Sequence, residues 1–281
     1  MFCVDEVVVF DDGQAPTRSP EDKGYTAFAD PNFFLYHVLS YLETPPHLRR
    51  ALFPMHPDLR TAGALPSLDM PHHLRSDEWC AYREGVSSST MESKDGVAAT
   101  RIDCGLPNKI TVRLALEPQT RITVQLPQDA PYNQTSSIEG QAVSPDTPRE
   151  EFGYYWGYNA RQAPSLGAVF TECPFDGGYD MSIGTSERGA TLASLLDEES
   201  DTRIAPNWQH LIVVFGGVSG LEAALSADKE LLAAGVTEVK DMFDQWINLV
   251  PGQGSRTIRT EEAVWVGMTG LLPVIEARNA A

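Results

Sequence analysis

The sequence has 281 residues, of which 42% are hydrophobic and 9% aromatic, which is typical of a folded chain with a sizeable core and excludes a disordered one. Lys and Arg number 21 against 39 Asp and Glu, so the net charge of −18 excludes a broad basic surface for nucleic acid but not a local basic patch. No window of 18 apolar residues is present and the start carries no basic segment, so we predict neither a membrane span nor secretion.

The cysteines and histidines give no sign of a metal site. No C-x-x-C pair is present, and the widely spaced cysteines are predicted to be buried thiols of a reducing compartment: Cys3, Cys80, Cys104 and Cys173. His56, His72 and His73 lie in a Pro-rich segment with few carboxylates nearby. We therefore predict that the protein binds no metal.

The first 76 residues read as the start of an α/β domain. The apolar run at 7–10 predicts a strand over residues 3–10, buried on both faces of a parallel sheet unless it lies at an edge. Asp30 and Pro31 are an N-cap and a first helical residue, so a helix is expected over 32–43, with a shorter one over 47–53. Residues 54–76 are rich in proline and are predicted to be irregular.

The pattern changes near residue 77. Short segments at 97–104, 109–116 and 121–126 alternate with period two and are separated by turn signals, which predicts a small β-barrel, resembling an OB fold, inserted over 77–147. Residues 127–150 are predicted to be its exit segment and return linker. The α/β domain would then comprise residues 1–76 and 148–281.

Strands and helices alternate again after residue 148. Strands are predicted at 154–161, 179–183, 210–215 and 246–250, with 210–215 central, and helices at 165–170, 222–228 and 229–234. A last helix follows the turn at 251–254. Its apolar side is predicted to carry Ala263, Val264, Val266, Met268, Leu271 and Leu272.

Three glycine-rich loops follow strands in this half of the chain, at 184–189, 216–220 and 251–254. Loops at the carboxyl ends of strands build the ligand site of an open α/β sheet, and glycine allows the backbone to approach a ligand closely. Glycine after a strand is also ordinary turn chemistry. Three such loops together favour a ligand site that also includes a helix N-terminus.

Two familiar chemistries find little support. The phosphate motifs G-x-x-x-x-G-K-[ST] and G-x-G-x-x-G are absent, although Arg256 and Arg259 could hold a phosphate at a helix start. Ser186 and Ser219 lie in loops, but neither is in a G-x-S-x-G turn, which argues against a serine hydrolase.

Four ungapped blocks carry a family resemblance. They are G-Y-Y-W-G-Y-x-x-R at 153–161, G-Y-D-M-S-I-G-T-S-E-R-G at 178–189, L-I-V-V-F-G-G-V-S-G-L-E at 211–222 and P-G-Q-G-S-R-T-I-R-T-E-E-A at 251–263. Together they resemble the eukaryotic and archaeal branch of the SPOUT RNA methyltransferases, a branch with an inserted OB-like domain that includes a human centromere- and spindle-associated member. The resemblance covers essentially the whole chain.

The resemblance implies an α/β fold with a deep trefoil knot that holds S-adenosylmethionine. The family's cofactor contacts fall on Arg188, Gly216, Asn248 and Leu249, where relatives usually have Thr at the last position. Three further residues lie in the same loops: Gly217, Gly254 and Thr257. The family's first strand and helix, which would precede residue 3, are expected to be missing from this chain.

The resemblance also implies an RNA substrate, with methyl transfer to a uridine imino nitrogen of rRNA, and a homodimer. Arg256 and Arg259 could stabilise the uridinate oxygens, and Glu262 or Glu261 could accept the proton. The same acidic residues would also suit the first turn of a helix. A nuclear, nucleolar or cytoplasmic location is expected. The alternative is a catalytically weak scaffold that serves as a binding protein in mitosis or ribosome assembly.

Overall fold

The computed structural model describes residues 2–14, 24–92, 98–130, 137–195, 197, 199–204 and 207–280. Its strands are β1 (Glu6–Phe10), β2 (Tyr82–Glu92), β3 (Ala98–Asp103), β4 (Lys109–Val112), β5 (Arg121–Gln125), β6 (Ser137–Val143), β7 (Asn159–Ala163), β8 (Met181–Thr191), β9 (Leu211–Val214) and β10 (Gln245–Asn248). Its α-helices are α1 (Pro31–Glu43), α2 (Pro46–Leu52), α3 (Thr147–Phe152), α4 (Leu166–Thr171), α5 (Gly220–Ala227), α6 (Lys229–Ala233) and α7 (Thr260–Ala280). Short 3₁₀ helices cover Pro57–Ala64, Leu192–Leu195 and Val239–Met242.

The chain forms two compact units. One, called here the barrel unit, comprises Cys3–Val7 and Arg18–Arg161, and the other, the sheet unit, comprises Met1–Phe2, Val8–Thr17 and Gln162–Ala281. The mixed α/β class with an inserted small barrel is confirmed. The domain boundaries at 76/77 and 147/148 stay a prediction.

The barrel unit is built on a closed five-stranded barrel with strand order β2-β3-β4-β6-β5. Neighbouring strands are antiparallel except β4 and β6, which pair in parallel with Ile110 opposite Ile138. Closure removes free sheet edges, as in the five-stranded Greek-key barrels of OB folds. The inward positions form one core: Ile102, Cys104, Ile110, Val112, Val124, Leu126 and Ile138.

Two barrel elements differ from the prediction. Residues 127–150 were predicted to be a linker, but β6 runs from Ser137 to Val143 and closes the barrel, and α3 follows it. The sequence of β6 is S-I-E-G-Q-A-V, in which apolar and polar residues alternate only weakly. This segment is a strand because it pairs with β4 and β5. The long strand β2 was not separately predicted, because it buries charged residues such as Arg83 and Glu84.

A buried ion network lies inside the barrel unit. Arg121 on β5 donates to both carboxylate oxygens of Glu43, at 2.5 and 2.9 Å, and to Glu84 Oε2 at 2.6 Å. His72 Nε2 lies 2.9 Å from Glu43 Oε1, and the indole of Trp156 donates to Glu84 Oε1 at 2.8 Å. Burial raises the pKa of Glu43, but the hydrogen bonds from Arg121 and His72 outweigh it and lower the pKa from 4.5 to about 2.

The two helices expected before the barrel are confirmed. The Asp30 carboxylate accepts a hydrogen bond from the amide of Phe33 at 2.9 Å, and Pro31 occupies the first turn of α1. α2 follows at Pro46–Leu52, one residue from its predicted bounds. The segment that was predicted to be irregular after it contains the 3₁₀ helix Pro57–Ala64.

The strand predicted at 154–161 is confirmed only in its last three residues, because β7 begins at Asn159 and the aromatic residues before it are not in a strand. Their side chains act as anchors within the barrel unit, since the polar tip of each ring needs a partner. The hydroxyl of Tyr155 donates to the carbonyl of Val4 at 2.7 Å, and that of Tyr158 donates to the carbonyl of Leu39 at 2.9 Å. The side chains of these aromatic residues, and not their backbone groups, therefore attach this segment to the rest of the unit.

The sheet unit contains a three-stranded sheet of order β10-β8-β9, in which both pairs are parallel. The predicted parallel sheet is therefore confirmed, but β8 and not the strand near 210–215 is central. Two cores cover it: one includes Leu166, Val214 and Leu221, and the other includes Ile183, Ile247 and Leu271. α7 contributes Leu271 and Val274 to the second core, so this helix belongs to the sheet.

The first strand lies at an edge, which was the alternative left open for it: β1 pairs with β7 in a two-stranded sheet, and only Val9 among its residues is buried. Two other predictions of burial are wrong. Val266 on α7 is 41% exposed, although it was placed on the apolar side. Of the four free cysteines only Cys104 is buried, and burial raises its pKa to about 12.

Among the described residues, no helix has both the length and the apolar character that crossing a membrane requires.

Candidate functional site

Three loops of the sheet unit line one cleft. They follow or interrupt the three parallel strands β8, β9 and β10, so they meet at the same edge of the sheet. The first turns of α5 and α7 complete the lining. The lining residues are Thr185, Ser186, Glu187, Phe215, Gly216, Gly217, Val218, Gly220, Glu222, Asn248, Leu249, Val250, Gln253, Arg256, Thr257, Ile258, Thr260 and Ala263.

The first loop is an excursion within β8. β10 pairs Trp246 with Gly184 and then Ile247 with Ala190, so residues 185–189 leave the ladder, and the predicted loop lies inside a longer strand. The backbones of Gly189 and Ile247 pass so closely that a Cβ on the glycine would lie 2.4–2.6 Å from three backbone atoms of Ile247. This crossing requires glycine.

The second loop turns sharply into α5. A Cβ on Gly216 would lie 2.8 Å from the carbonyl carbon of Gly220 and from the amide nitrogen of Leu221. Gly220 has a φ of +75°, and its amide donates to the carbonyl of Gly217 at 3.0 Å. A Cβ on Gly217 would meet only a carboxylate oxygen of Asp12, at 3.0 Å. Backbone therefore forms most of this wall of the cleft.

The third loop is tied to the first by Asn248. Its side-chain amide donates to the carbonyl of Glu187 at 2.8 Å, and its side-chain oxygen accepts from the amide of Val250 at 3.0 Å. Both ends of this side chain are therefore used within the protein. A ligand contact at Asn248 would therefore be made by its main chain.

The predicted catalytic residues lie around the start of α7. The helix begins at Thr260, so Arg256 precedes it by four residues and was wrongly placed at a helix start. Arg256 lines the cleft, whereas Arg259 is 79% exposed and lies 3.9 Å from Glu261. The Glu262 carboxylate accepts a hydrogen bond from the amide of Arg259 at 3.1 Å, which is a helix-end contact. Its catalytic role stays a prediction.

Most of the predicted cofactor residues do meet in one place. Gly216, Gly217, Asn248, Leu249 and Thr257 line the cleft together with Arg256. Five predicted residues are outside the lining, namely Arg188, Gly254, Arg259, Glu261 and Glu262. Gly254 has open space around it, since a Cβ there would meet nothing within 4 Å.

Sequence reasoning missed the two acidic residues of the lining, Glu187 and Glu222. The guanidinium of Arg188 lies 3.6 Å from Glu187 and 3.9 Å from Glu222, at the edge of the cleft. Glu187 is adjacent to the recognised Arg188, and Glu222 closes the block at 211–222, so both had a local signal. With the guanidinium of Arg188 against both carboxylates and Arg256 in the lining, two positive groups balance two negative ones, so charge alone does not select a cation over a phosphate.

Comparison with known proteins identifies relatives over most of the chain. A family model described as "Putative RNA methyltransferase" matches residues 1–271. A human protein named 28S rRNA (uridine-N(3))-methyltransferase is 44% identical over 275 residues, which cover 97% of this chain and 69% of that protein. Proteins of the same name are 42% identical in Mus musculus, covering 97% of this chain and 68% of that protein, and 39% identical in Drosophila melanogaster, covering 100% and 57%. The chain belongs to this family of RNA methyltransferases.

Proposed function

We propose that the protein transfers a methyl group from S-adenosylmethionine to N3 of a uridine in rRNA, in a SPOUT-type knotted fold. The observation that carries the proposal is the single cleft formed by three glycine-rich loops at the edge of a parallel sheet. The family match supports an RNA methyltransferase, and the names of the human, mouse and fly relatives support the uridine of rRNA as the acceptor.

The chemistry of the cleft suits this cofactor. The adenosine moiety of S-adenosylmethionine is neutral, and its methionine moiety carries a cationic sulfonium, a cationic amino group and an anionic carboxylate. Phe215, Val218 and Leu249 offer apolar surface to a flat ring, and the main chain at Gly216 and Gly217 can approach it. The carboxylates of Glu187 and Glu222 can accept hydrogen bonds from hydroxyl and amino groups of the cofactor, with the guanidinium of Arg188 beside them. The close crossing of Gly189 and Ile247 fits a threaded chain.

Methyl transfer requires alignment and loss of one proton. The methyl group moves from sulfur to N3, S-adenosylhomocysteine leaves, and the N3 proton passes to a base. Arg256 lies in the cleft, where its guanidinium can stabilise the negative charge that develops on the uridine oxygens. Arg259, which is exposed just before α7, is proposed to contact the RNA. Reaction in line with the sulfur depends on how the three loops fix the cofactor.

The barrel is proposed as the RNA-binding module. Five-stranded OB-type barrels bind oligonucleotides on their strand faces and loops. The net charge of −18 means that binding would depend on local arginines and on base contacts, without a broad basic surface. A protein that acts on rRNA would work in the nucleus, the nucleolus or the cytoplasm.

A homodimer is proposed through α7. Trp265 is 57% exposed and Val266 is 41% exposed on one stretch of this helix, and the ring of Phe2 packs edge-on against Trp265 at 5.9 Å. Burying these two side chains against a second copy of α7 would remove apolar surface from water, which favours association.

Cofactor binding is testable by calorimetry. We expect the protein to bind S-adenosylmethionine and S-adenosylhomocysteine, and to bind neither ATP nor NAD. Gly217→Arg should abolish binding without unfolding the sheet, because only a side-chain oxygen opposes a Cβ there. Gly216→Arg should do the same with a larger cost in stability. Gly63→Arg, at an open surface position of the barrel unit, is the matched control and should bind normally.

Two results would count against the proposal. Stabilisation by ATP or NAD but not by S-adenosylhomocysteine would indicate a nucleotide-phosphate enzyme. Unchanged binding in folded Gly217→Arg protein would place the cofactor outside this cleft.

A further inference from the structure

Three potential metal ligands converge in the barrel unit, away from the strands of the barrel. His37 lies on α1, His56 immediately precedes the 3₁₀ helix Pro57–Ala64, and Asp58 lies within it. Nδ1 of His37 is 3.4 Å from Oδ2 of Asp58, and Nδ1 of His56 is 3.2 Å from the same oxygen. All three ligand atoms lie within 4.8 Å of one another.

These separations match the edges of a coordination tetrahedron. Zinc bonds to imidazole nitrogen and carboxylate oxygen are about 2.0–2.1 Å long, so tetrahedral ligands lie about 3.3 Å apart. The two nitrogen-to-oxygen distances, 3.4 and 3.2 Å, fall on either side of this value. Imidazole and carboxylate are also ligands that Zn²⁺ and its neighbours in the first transition row prefer.

The amide of Asp58 donates to Nδ1 of His56 at 3.2 Å, so this nitrogen is an unprotonated ring nitrogen. A metal ion bound at Nδ1 would take the place of this hydrogen bond. The Asp58 carboxylate beside it is completely buried, and the ion would balance its negative charge.

The carboxylate of Asp58 is oriented by Thr26. The Thr26 amide donates to Oδ1 at 2.8 Å, and the Thr26 hydroxyl donates to Oδ2 at 2.7 Å. Thr26 is 1% exposed, so these bonds are shielded from solvent. Ligating carboxylates commonly have such supporting hydrogen bonds, which hold the remaining lone pairs in a fixed direction.

Aromatic rings wall the cluster, and one side remains accessible. The ring of Phe53 stacks on His37 at 5.9 Å, and Phe33 lies 5.3 Å from His37 and 6.1 Å from His56. The side chains of His37 and His56 are 13% and 22% exposed, so an ion can enter from the solvent and keep a water molecule as its fourth ligand.

We propose that His37, His56 and Asp58 bind one divalent transition-metal ion of the zinc type. The ion would join α1 to the 3₁₀ helix Pro57–Ala64 and, through Thr26, to the turn before α1. This site is independent of methyl transfer and revises the sequence prediction that no metal is bound. Sequence spacing does not reveal the site, because His37 lies 19 residues before His56 and is brought to it and to Asp58 only by the fold.

Cobalt spectroscopy tests the site directly. The full chain, purified without a polyhistidine tag and stripped with chelator, is titrated with Co²⁺ and then with Zn²⁺. We expect one equivalent of Co²⁺ to give the visible absorption of tetrahedral coordination, and one equivalent of Zn²⁺ to remove it. Zn²⁺ at 100 times its Kd should raise the Tm by about 5 °C.

Two ligand variants and one control complete the experiment. His56→Gln and Asp58→Asn should each lose the cobalt spectrum and the Tm shift, and His210→Gln, which changes a histidine of the sheet unit, should retain both. His56 is the more exposed ligand, so His56→Gln decides the result where Asp58→Asn fails to fold. Absence of the spectrum in the wild-type chain, or an unchanged spectrum in folded His56→Gln, overturns the proposal.

Discussion

The buried ion network in the barrel unit makes a quantitative prediction for Glu43→Gln. The Glu43 carboxylate has its pKa lowered from 4.5 to about 2 in the folded state. At 1.36 kcal/mol for each tenfold change in proton affinity, this contributes about 3 kcal/mol to the free energy of unfolding. The Arg121 side chain is 31% exposed, so solvent screening makes this figure an upper bound.

The pH dependence follows from the direction of the shift. A carboxyl whose pKa is lower in the folded state stabilises that state fully above its unfolded pKa, near 4.5, and the contribution is lost as the pH falls towards 2. The wild-type chain should therefore lose stability over this range. Glu43→Gln should be destabilised by about 2–3 kcal/mol at pH 7 and should approach the wild type near pH 2.

Urea unfolding at a series of pH values, followed by circular dichroism, measures both effects. At pH 7 we expect the midpoint to fall by about 1 M in the variant. Glu139→Gln is the matched control, since its partner Arg113 and Glu139 itself are 55% and 58% exposed, and it should change the midpoint little. Parallel pH profiles for the wild type and Glu43→Gln would refute the reasoning.

Three further predictions concern the sheet unit. Gly189→Ala should lower the free energy of unfolding by at least about 2 kcal/mol, and with it the Tm, because the new Cβ would clash with the backbone of Ile247. Gly254→Ala is the control and should leave the Tm unchanged. Equal effects of the two substitutions would contradict the close crossing of Gly189 and Ile247. Glu262→Ala should lower the Tm through the lost helix-end hydrogen bond, about 1 kcal/mol. Glu262→Gln should keep the Tm but lose methyl transfer, because the amide cannot accept the N3 proton; an active Glu262→Gln would contradict the predicted role as base. Trp265→Glu should convert a dimer to a monomer in light scattering, and a wild-type monomer would contradict the proposed interface.

The sequence predicted best where local chemistry and global fold agree. Asp30 and Pro31 cap α1 as predicted, and the three glycine-rich loops meet in one cleft. Prediction failed where tertiary contacts decide the structure. β6 is a strand because its neighbours pair with it. Tyr155, Trp156 and Tyr158 are anchors because their hydroxyl and indole groups find hydrogen-bond partners in distant parts of the barrel unit.

In the cleft, too, some residues could be predicted from local sequence patterns, and the place of others depends on the fold. Gly216 could be predicted because only glycine fits so close to Gly220, and such glycines lie in recognisable strings. Glu187 and Glu222 lie in the same strings, but their place in the lining depends on the excursion of β8 and on the start of α5, which the strings do not specify. Charge inside a cleft depends on where loops turn, which local patterns do not specify.

Methyl transfer to rRNA in vitro tests the central claim most directly. The full chain is incubated with rRNA that lacks the modification and with isotope-labelled S-adenosylmethionine, and the digested nucleosides are examined by mass spectrometry. The account predicts labelled 3-methyluridine with the wild-type chain and none with Gly217→Arg. Binding of the cofactor without any labelled nucleoside would contradict it and would favour a binding scaffold.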